Sequence, residues 1–341
     1  MGFSTEIQPL NSGGSKANLI ATIGQGSNGL VLAGHTDTVP FDENRWNSDP
    51  FKLTEADNRL YGLGTADMKS FFALIIEAVR DLDLSSLQQP LIILATADEE
   101  TSMSGAKALN SHHLSGGRFV LIGEPTGLKP VRMHKGIMME AIKLTGLSGH
   151  SSNPALGNSA LEAMHRVITE LLKWRDELQA AYNNPLFEIP EPTMNLGHIH
   201  GGDNPNRICG YCELQIDIRP LPGMSLVDLR YELEQRLQKT LAGTMISYDT
   251  QALFDGVAAV ETPADSKLVK AVEKLTGATA EAVAFSTEAP FYNELGMDSV
   301  VLGPGHINQA HQPNEYLETS QIKPAVKLIQ DIVKQFCMQR Y

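Results

Sequence analysis

Short uninterrupted apolar runs recur along the first third of the chain, with stretches of helical periodicity between them. Residues 19–23 and 29–33 read as strands. Residues 68–82 place Phe72, Leu74, Ile75 and Val79 at helical spacing and read as a helix. Residues 91–96 and 119–122 are again continuous apolar strands, with a helix expected over 102–111 between them. Strands apolar on both faces, alternating with helices, predict an α/β fold: a mostly parallel sheet with helices on both faces.

The middle of the chain changes pattern. Residues 137–144 read as a strand, 159–181 as a long helix, 193–199 and 208–218 as strands, 225–241 as an amphipathic helix and 245–250 as a strand. This is the β-α-β-β-α-β order of a ferredoxin-like unit. Residues 131–251 are therefore expected to form an α+β domain inserted into a first domain made of 1–130 and 252–341. The first style returns after the insertion, with a helix over 264–275, short strands over 282–284 and 299–302, and a closing helix over 322–337.

Composition narrows the function classes. A chain of 341 residues, 42% hydrophobic and 20% charged, suits one large or two ordinary globular domains. The longest apolar run, near residues 71–79, is too short to span a bilayer, and residues 1–10 lack the pattern of a secretory signal. A formal charge of −13 argues against a nucleic-acid partner, which wants a basic face. Three cysteines make no disulfide framework and fit a reducing, cytoplasmic location.

Five groups of candidate residues follow the strands or lie in nearby loops, where open α/β sheets bind ligands. His35-Thr36-Asp37 follows the run 29–34. Residues two apart on an extended chain share a face, so His35 can take a metal while Asp37 holds its other ring nitrogen. A surface loop would carry the same residues. Asp67, in the stretch Gly62–Lys69, can cap the next helix, bridge two metals, or do both. Asp98-Glu99-Glu100 leaves a buried strand, and adjacent side chains there point opposite ways. That suits one glutamate as ligand and the other as base. Glu124 follows another strand, and His311 lies in a Gly/Pro-flanked loop before the last helix. Together they form a mixed nitrogen and oxygen donor set, which favours zinc, cobalt or manganese over calcium. Two such ions about 3.5–4 Å apart, sharing a carboxylate, are a recurrent hydrolytic device.

His35-Thr-Asp37, Gly64-Thr-Ala-Asp67-Met-Lys69, Asp98-Glu-Glu100, Gly123-Glu-Pro125 and the distal His311 resemble, in order and spacing, the dinuclear zinc amidohydrolases of the M20 peptidase family. The likeness runs nearly full length. Residues 35–40, 95–105, 195–219 and 303–318 are most similar to its acetylornithine deacetylase branch. The resemblance implies a zinc-aminopeptidase-like catalytic domain and an inserted lid that makes a homodimer. It also implies hydrolysis of a small N-acylated amino acid, N2-acetyl-L-ornithine, by metal-bound hydroxide, as a step of arginine biosynthesis. Desuccinylase, aminoacylase and dipeptidase relatives share the same metal set, and an inactive metal-binding homologue is the non-enzymatic alternative.

By the same resemblance His35, Asp67 and Glu124 would hold one divalent ion and Asp67, Glu100 and His311 the other. Asp37 would orient His35, and Glu99 would be the general base. His150, in Gly149-His150-Ser-Ser-Asn-Pro154, would reach the partner subunit's site and stabilise an oxyanion. Arg219, Asn206 and Thr287 would contact substrate, the arginine through its planar fork. Relatives carry a further helical segment before the part matching Gly2-Phe3, so one sheet face is expected to expose apolar surface. Cys209 and Cys212 read as structural, as positions three apart on a strand face opposite sides. His198 and His200 read as packing or interface residues, and Lys16 follows a small polar turn that lacks P-loop spacing.

Overall fold

The computed structural model describes residues 1–339. Its chain divides into two compact units. The first comprises Met1–Met133, Glu261–Ala282 and the chain from Thr287 onward, and the second comprises His134–Val260 with Val283–Ser286.

In chain order the first unit opens with β1 (Ser4–Pro9), β2 (Ala17–Ile23), β3 (Gly29–His35), β4 (Thr54–Ala56), β5 (Arg59–Tyr61) and α1 (Ser70–Arg80). It continues through β6 (Leu91–Thr96), α2 (Ser104–Lys107), β7 (Gly117–Pro125) and β8 (Val131–His134). The second unit supplies β9 (Met138–Thr145), α3 (Ala160–Ala181), β10 (Thr193–Gly201), β11 (Tyr211–Arg219), α4 (Leu226–Leu241) and β12 (Ser247–Ala252). The remainder holds β13 (Val260–Glu261), α5 (Lys267–Thr276), β14 (Glu281–Val283), α6 (Ala289–Glu294), β15 (Asp298–Gly303), β16 (Tyr316–Glu318) and α7 (Ile322–Val333).

The main sheet runs β1-β2-β6-β3-β7-β15-β8-β13. Its centre, β6-β3-β7-β15, is parallel, with Leu32 opposite both Ile93 and Leu121 and Val301 opposite Ile122. The β1 and β2 strands join antiparallel at one side, and β8 pairs antiparallel with β15. Every residue of β3 is buried, which accounts for its unbroken apolar run. Leu30 and Leu32 pack into one cluster with Phe71 and Ile75 of α1, Val269 of α5, and Ile329 and Val333 of α7. At about 25 cal/mol per Å², each such side chain contributes roughly 1.5–3 kcal/mol. The helix lies directly on the sheet: a Cβ on Gly123 of β7 would fall 2.1 Å from the Phe71 ring, and one on Gly34 would fall 2.3 Å from Met68 Cε.

Some expected elements differ. The helix over 102–111 contracts to α2, because Ser102 and Ser104 hydrogen-bond the Asp98 carboxylate and Met103 takes a left-handed φ of 54°. Side chains that bond locally compete with helix in this way. The β1 strand has no apolar signature because most of it is exposed; on it Ile7 pairs with Leu19 of β2, and both are exposed.

The second unit is a four-stranded antiparallel sheet, β10-β11-β9-β12, in the βαββαβ order. In β11 buried residues alternate, with Cys212, Leu214, Ile216 and Ile218 inward. The α3 and α4 helices bury Val167, Leu171, Leu233 and Leu237. Each begins at a serine, Ser159 or Ser225, whose hydroxyl accepts the main-chain N–H of the helix's third residue, Glu162 or Asp228. Among the described residues no helix is long and apolar enough to cross a membrane.

Candidate metal centre

The carboxyl ends of the parallel strands converge. His35 ends β3, Ala97–Glu100 follow β6, Glu124 lies near the end of β7, and the loop after β15 carries His311. Asp67 arrives from the loop before α1. It does not cap that helix: α1 has no side-chain cap, and the Asp67 carboxylate faces the imidazoles instead. Asp67 Oδ1 lies 3.1 Å from His35 Nε2 and Oδ2 lies 3.4 Å from His311 Nε2. Glu124 Oε1 is 3.6 Å from His35 Nε2, and Glu100 Oε2 is 3.0 Å from His311 Nε2.

Two donor groups result, His35-Asp67-Glu124 and Asp67-Glu100-His311, each with its donor atoms within 4.8 Å of one another and with Asp67 common to both. A third overlapping group is His35-Glu99-Glu100. The first trio is almost wholly buried, while the His311 side chain is 54% exposed.

The electrostatics are strained toward negative charge. Burial pushes Glu99 up to about 8, the His35 charge opposes that, and Glu288, Glu100 and Asp67 add to it. Burial, then Asp67, raises Glu124 well above the carboxylate range. Burial works against the Asp67 charge, but bonds from His311 and His35 win and hold it below its ordinary value. His311 is lifted to about 10 by its bonds to Asp67 and Glu100. Buried carboxylates this close repel one another, and divalent cations neutralise such a set. The mixed nitrogen and oxygen donors therefore fit a borderline metal.

The surroundings assign other residues. His35 Nδ1 is 3.1 Å from the main-chain carbonyl of Asp37 and 3.7 Å from its Oδ1. The Asp37 carboxylate instead accepts the N–H groups of Glu99 and Glu100 at 3.2 and 3.1 Å. Its side chain thus orients the glutamate loop, and its carbonyl orients the histidine. Asp98, at a left-handed φ of 68°, is held by Lys16 and by Ser102 and Ser104. Sequence reading left Lys16 and Asp98 without a task because their contact spans 82 positions. It also passed over Glu315, whose buried carboxylate receives the N–H groups of Gly64, Ala66 and Asp67 at 2.8, 2.7 and 2.9 Å. Glu288, fully buried, accepts the Tyr292 hydroxyl at 2.9 Å.

The second unit carries three more of the sequence candidates. His150 lies on an exposed loop, 2.8 Å from Ser152 Oγ through Nδ1, and its main chain bridges to Arg207. The carbonyl of Asn206 accepts the Ser151 N–H at 3.0 Å. Arg219 Nε donates to Asp217 at 3.0 Å. Thr287, in the first unit, is a different case. It is completely buried and its hydroxyl accepts the Ala289 N–H at the start of α6, so it presents no surface for a substrate. Cys209 and Cys212 are buried free thiols, and burial pushes Cys212 up to about 11.

The profile of peptidase family M20/M25/M40 matches residues 31–335. The chain belongs to that family. Among its M20 relatives is an acetylornithine deacetylase of Pectobacterium carotovorum subsp. carotovorum (strain PC1), 53% identical over 337 residues, covering 99% of this chain and 88% of the relative. A tripeptidase of Staphylococcus aureus has the same fold, with a TM-score of 0.76 at 20% identity over 99% of this chain and 90% of that one. A Bacillus subtilis protein described as a dinuclear metal-binding peptidase from the M20 family matches with a TM-score of 0.68 at 15% identity, over 97% of this chain and 88% of that one. The expectations of an M20 relationship and of an α/β fold around a mostly parallel sheet both hold.

Proposed function

We propose that this M20 chain is an acetylornithine deacetylase, a metallohydrolase that converts N2-acetyl-L-ornithine and water to L-ornithine and acetate. The observation that carries the chemistry is the single Asp67 carboxylate with one oxygen toward each histidine group. The substrate is supported by 53% identity to a deacetylase over 99% of the chain.

In this reading His35, Asp67 and Glu124 hold one divalent ion and Asp67, Glu100 and His311 the second. The donor chemistry favours zinc, with cobalt or manganese as substitutes. Bound there, such ions supply Lewis acidity toward the amide carbonyl and toward water. Glu99, buried beside the ligands, takes the proton of the attacking water and passes it to the amine nitrogen as the C–N bond breaks. Burial raises the Glu99 carboxyl above the usual carboxylate range, the direction that favours proton uptake. Asp37 fixes the Glu99-Glu100 main chain through its two hydrogen bonds, so base and ligand keep their separate directions.

The reading extends to a cytoplasmic homodimer formed through the second unit, acting in arginine biosynthesis. His150, on its exposed loop, would complete the partner's site as an oxyanion donor, and Arg219 and Asn206 would receive the substrate carboxylate.

The test is acetylornithine hydrolysis by the purified chain, after chelation and again after adding zinc or cobalt, with succinyl-diaminopimelate as the competing substrate. Activity that vanishes and returns, with acetylornithine preferred, is the expected result. Equal or greater activity on succinyl-diaminopimelate would overturn the substrate assignment.

A further inference from the structure

Glu315 lies four residues beyond His311, where the chain enters β16. Its carboxylate is buried, at 3% exposure, in the loop that leads to α1. Oε1 accepts the Ala66 N–H at 2.7 Å and the Asp67 N–H at 2.9 Å, while Oε2 accepts the Gly64 N–H at 2.8 Å. The main chain adds a fourth tie, from the Gly62 N–H to the Glu315 carbonyl, 3.1 Å. Beside it Tyr316–Glu318 pairs with Arg59–Tyr61, so the two segments are also laced by a short antiparallel ladder.

Three neighbouring main-chain N–H groups aimed at one point form an anion-binding nest. Here the anion is internal. Burying a carboxylate is costly unless its oxygens are satisfied, and charge-assisted bonds of this kind are the strong ones. The turn that offers these N–H groups includes a left-handed glycine. Gly64 has a φ of +83°, and a Cβ there would fall 2.2 Å from Lys69 Cε and 3.1 Å from Thr38 Cγ2.

We infer that Glu315 is a positioning residue for the metal centre: by gripping the main chain at Asp67 it sets where the shared carboxylate stands relative to His311. The inference rests on the metal-centre reading above. Glu315 touches no proposed ligand atom. Its effect passes through the Asp67 backbone, and the same short segment that carries Glu315 carries His311. One side chain thereby couples two ligands that are distant in sequence.

The experiment is calorimetric titration of zinc into the metal-free, full-length protein, with circular dichroism to establish that each variant is folded. Glu315→Gln keeps the size of the side chain, but its amide nitrogen must face one of the three N–H donors. The expected result is wild-type binding of two zinc ions and roughly 10–100-fold weaker binding in the variant, the usual cost of losing a partner behind a ligand. Glu315→Asp, which keeps the charge on a shorter arm, should recover part of that loss and stands in if the glutamine variant fails to fold. Glu140→Gln serves as the control. It breaks the ion pair of another buried carboxylate, with the half-buried Arg230 at 2.7 Å in the second unit, and should lower stability without changing zinc affinity.

Wild-type zinc binding with unchanged affinity in Glu315→Gln overturns the positioning role while leaving the metal centre intact. So does an equal loss in Glu140→Gln. A wild-type protein that takes up no zinc overturns the metal-centre reading and this inference with it.

Discussion

At the scale of single residues, the arrangement turns on which oxygen faces which nitrogen. Asp67 divides its oxygens between two imidazoles, so Asp67→Asn should impair both donor groups at once. Bound zinc measured by atomic absorption should fall below one ion per chain, with activity down by more than about 100-fold, beyond the usual outer-partner range. Glu99→Gln should keep the metal and lose turnover by at least about 100-fold, the lower range for a lost general base. Unchanged turnover would show that Glu99 is not the base. Away from the centre, His134 is fully buried, its Nδ1 2.8 Å from the Lys135 carbonyl, and burial lowers its pKa to about 4. The folded pKa lies below the unfolded value of 6.5, so His134 favours the folded state above pH 6.5. As pH falls toward 4 the unfolded chain takes up a proton that the folded chain refuses, and about 3 kcal/mol of stability is lost. Denaturant unfolding at several pH values should show a flatter acid limb in His134→Gln. His35, Asp67, Glu100 and Glu124 were legible because each sits by a strand end or helix start, and His311, in the loop after β15, through the family resemblance. Glu315 was not, because its bonding partners lie 248–251 positions away and nothing local marks an internal anion.

At the scale of elements, helix and strand were readable where an apolar face exists. The β3 run and the periodic faces of α3 and α4 carry their burial in their residue order. The β1 strand and the contracted α2 do not: one is a polar strand defined by its pairing, the other a helix cut short by serines that bond to Asp98. Contact between elements is less legible still, since no pattern announces that Phe71 must sit on Gly123. Gly123→Ala would drive a methyl into that ring. It should destabilise the first unit by about 1–3 kcal/mol, the range for overpacking, measured as a lower denaturant midpoint. An unshifted midpoint would mean that α1 can lift off β7 without cost. Because Asp67 stands just before α1 and Glu124 lies one residue beyond Gly123, the same variant should also weaken zinc binding.

At the scale of the whole molecule, two units of different architecture share one chain, and the second is inserted between parts of the first. If the second unit makes the proposed homodimer, sedimentation should report twice the 37.1 kDa of one chain. In that case His150→Ala should lower kcat more than it raises KM, because an oxyanion contact strengthens on the way to the transition state. A monomer with full activity would remove His150 from the mechanism. The spread of the ligands along the chain has a consequence for biosynthesis. Glu100 and His311 are 211 positions apart, with the entire second unit translated between them. The chain emerging from the ribosome therefore carries Glu100 without its His311 partner for most of its synthesis. On the proposed ligand set, that half would gain its imidazole only once His311 has been translated, so metal held there would mark a chain extended past that residue.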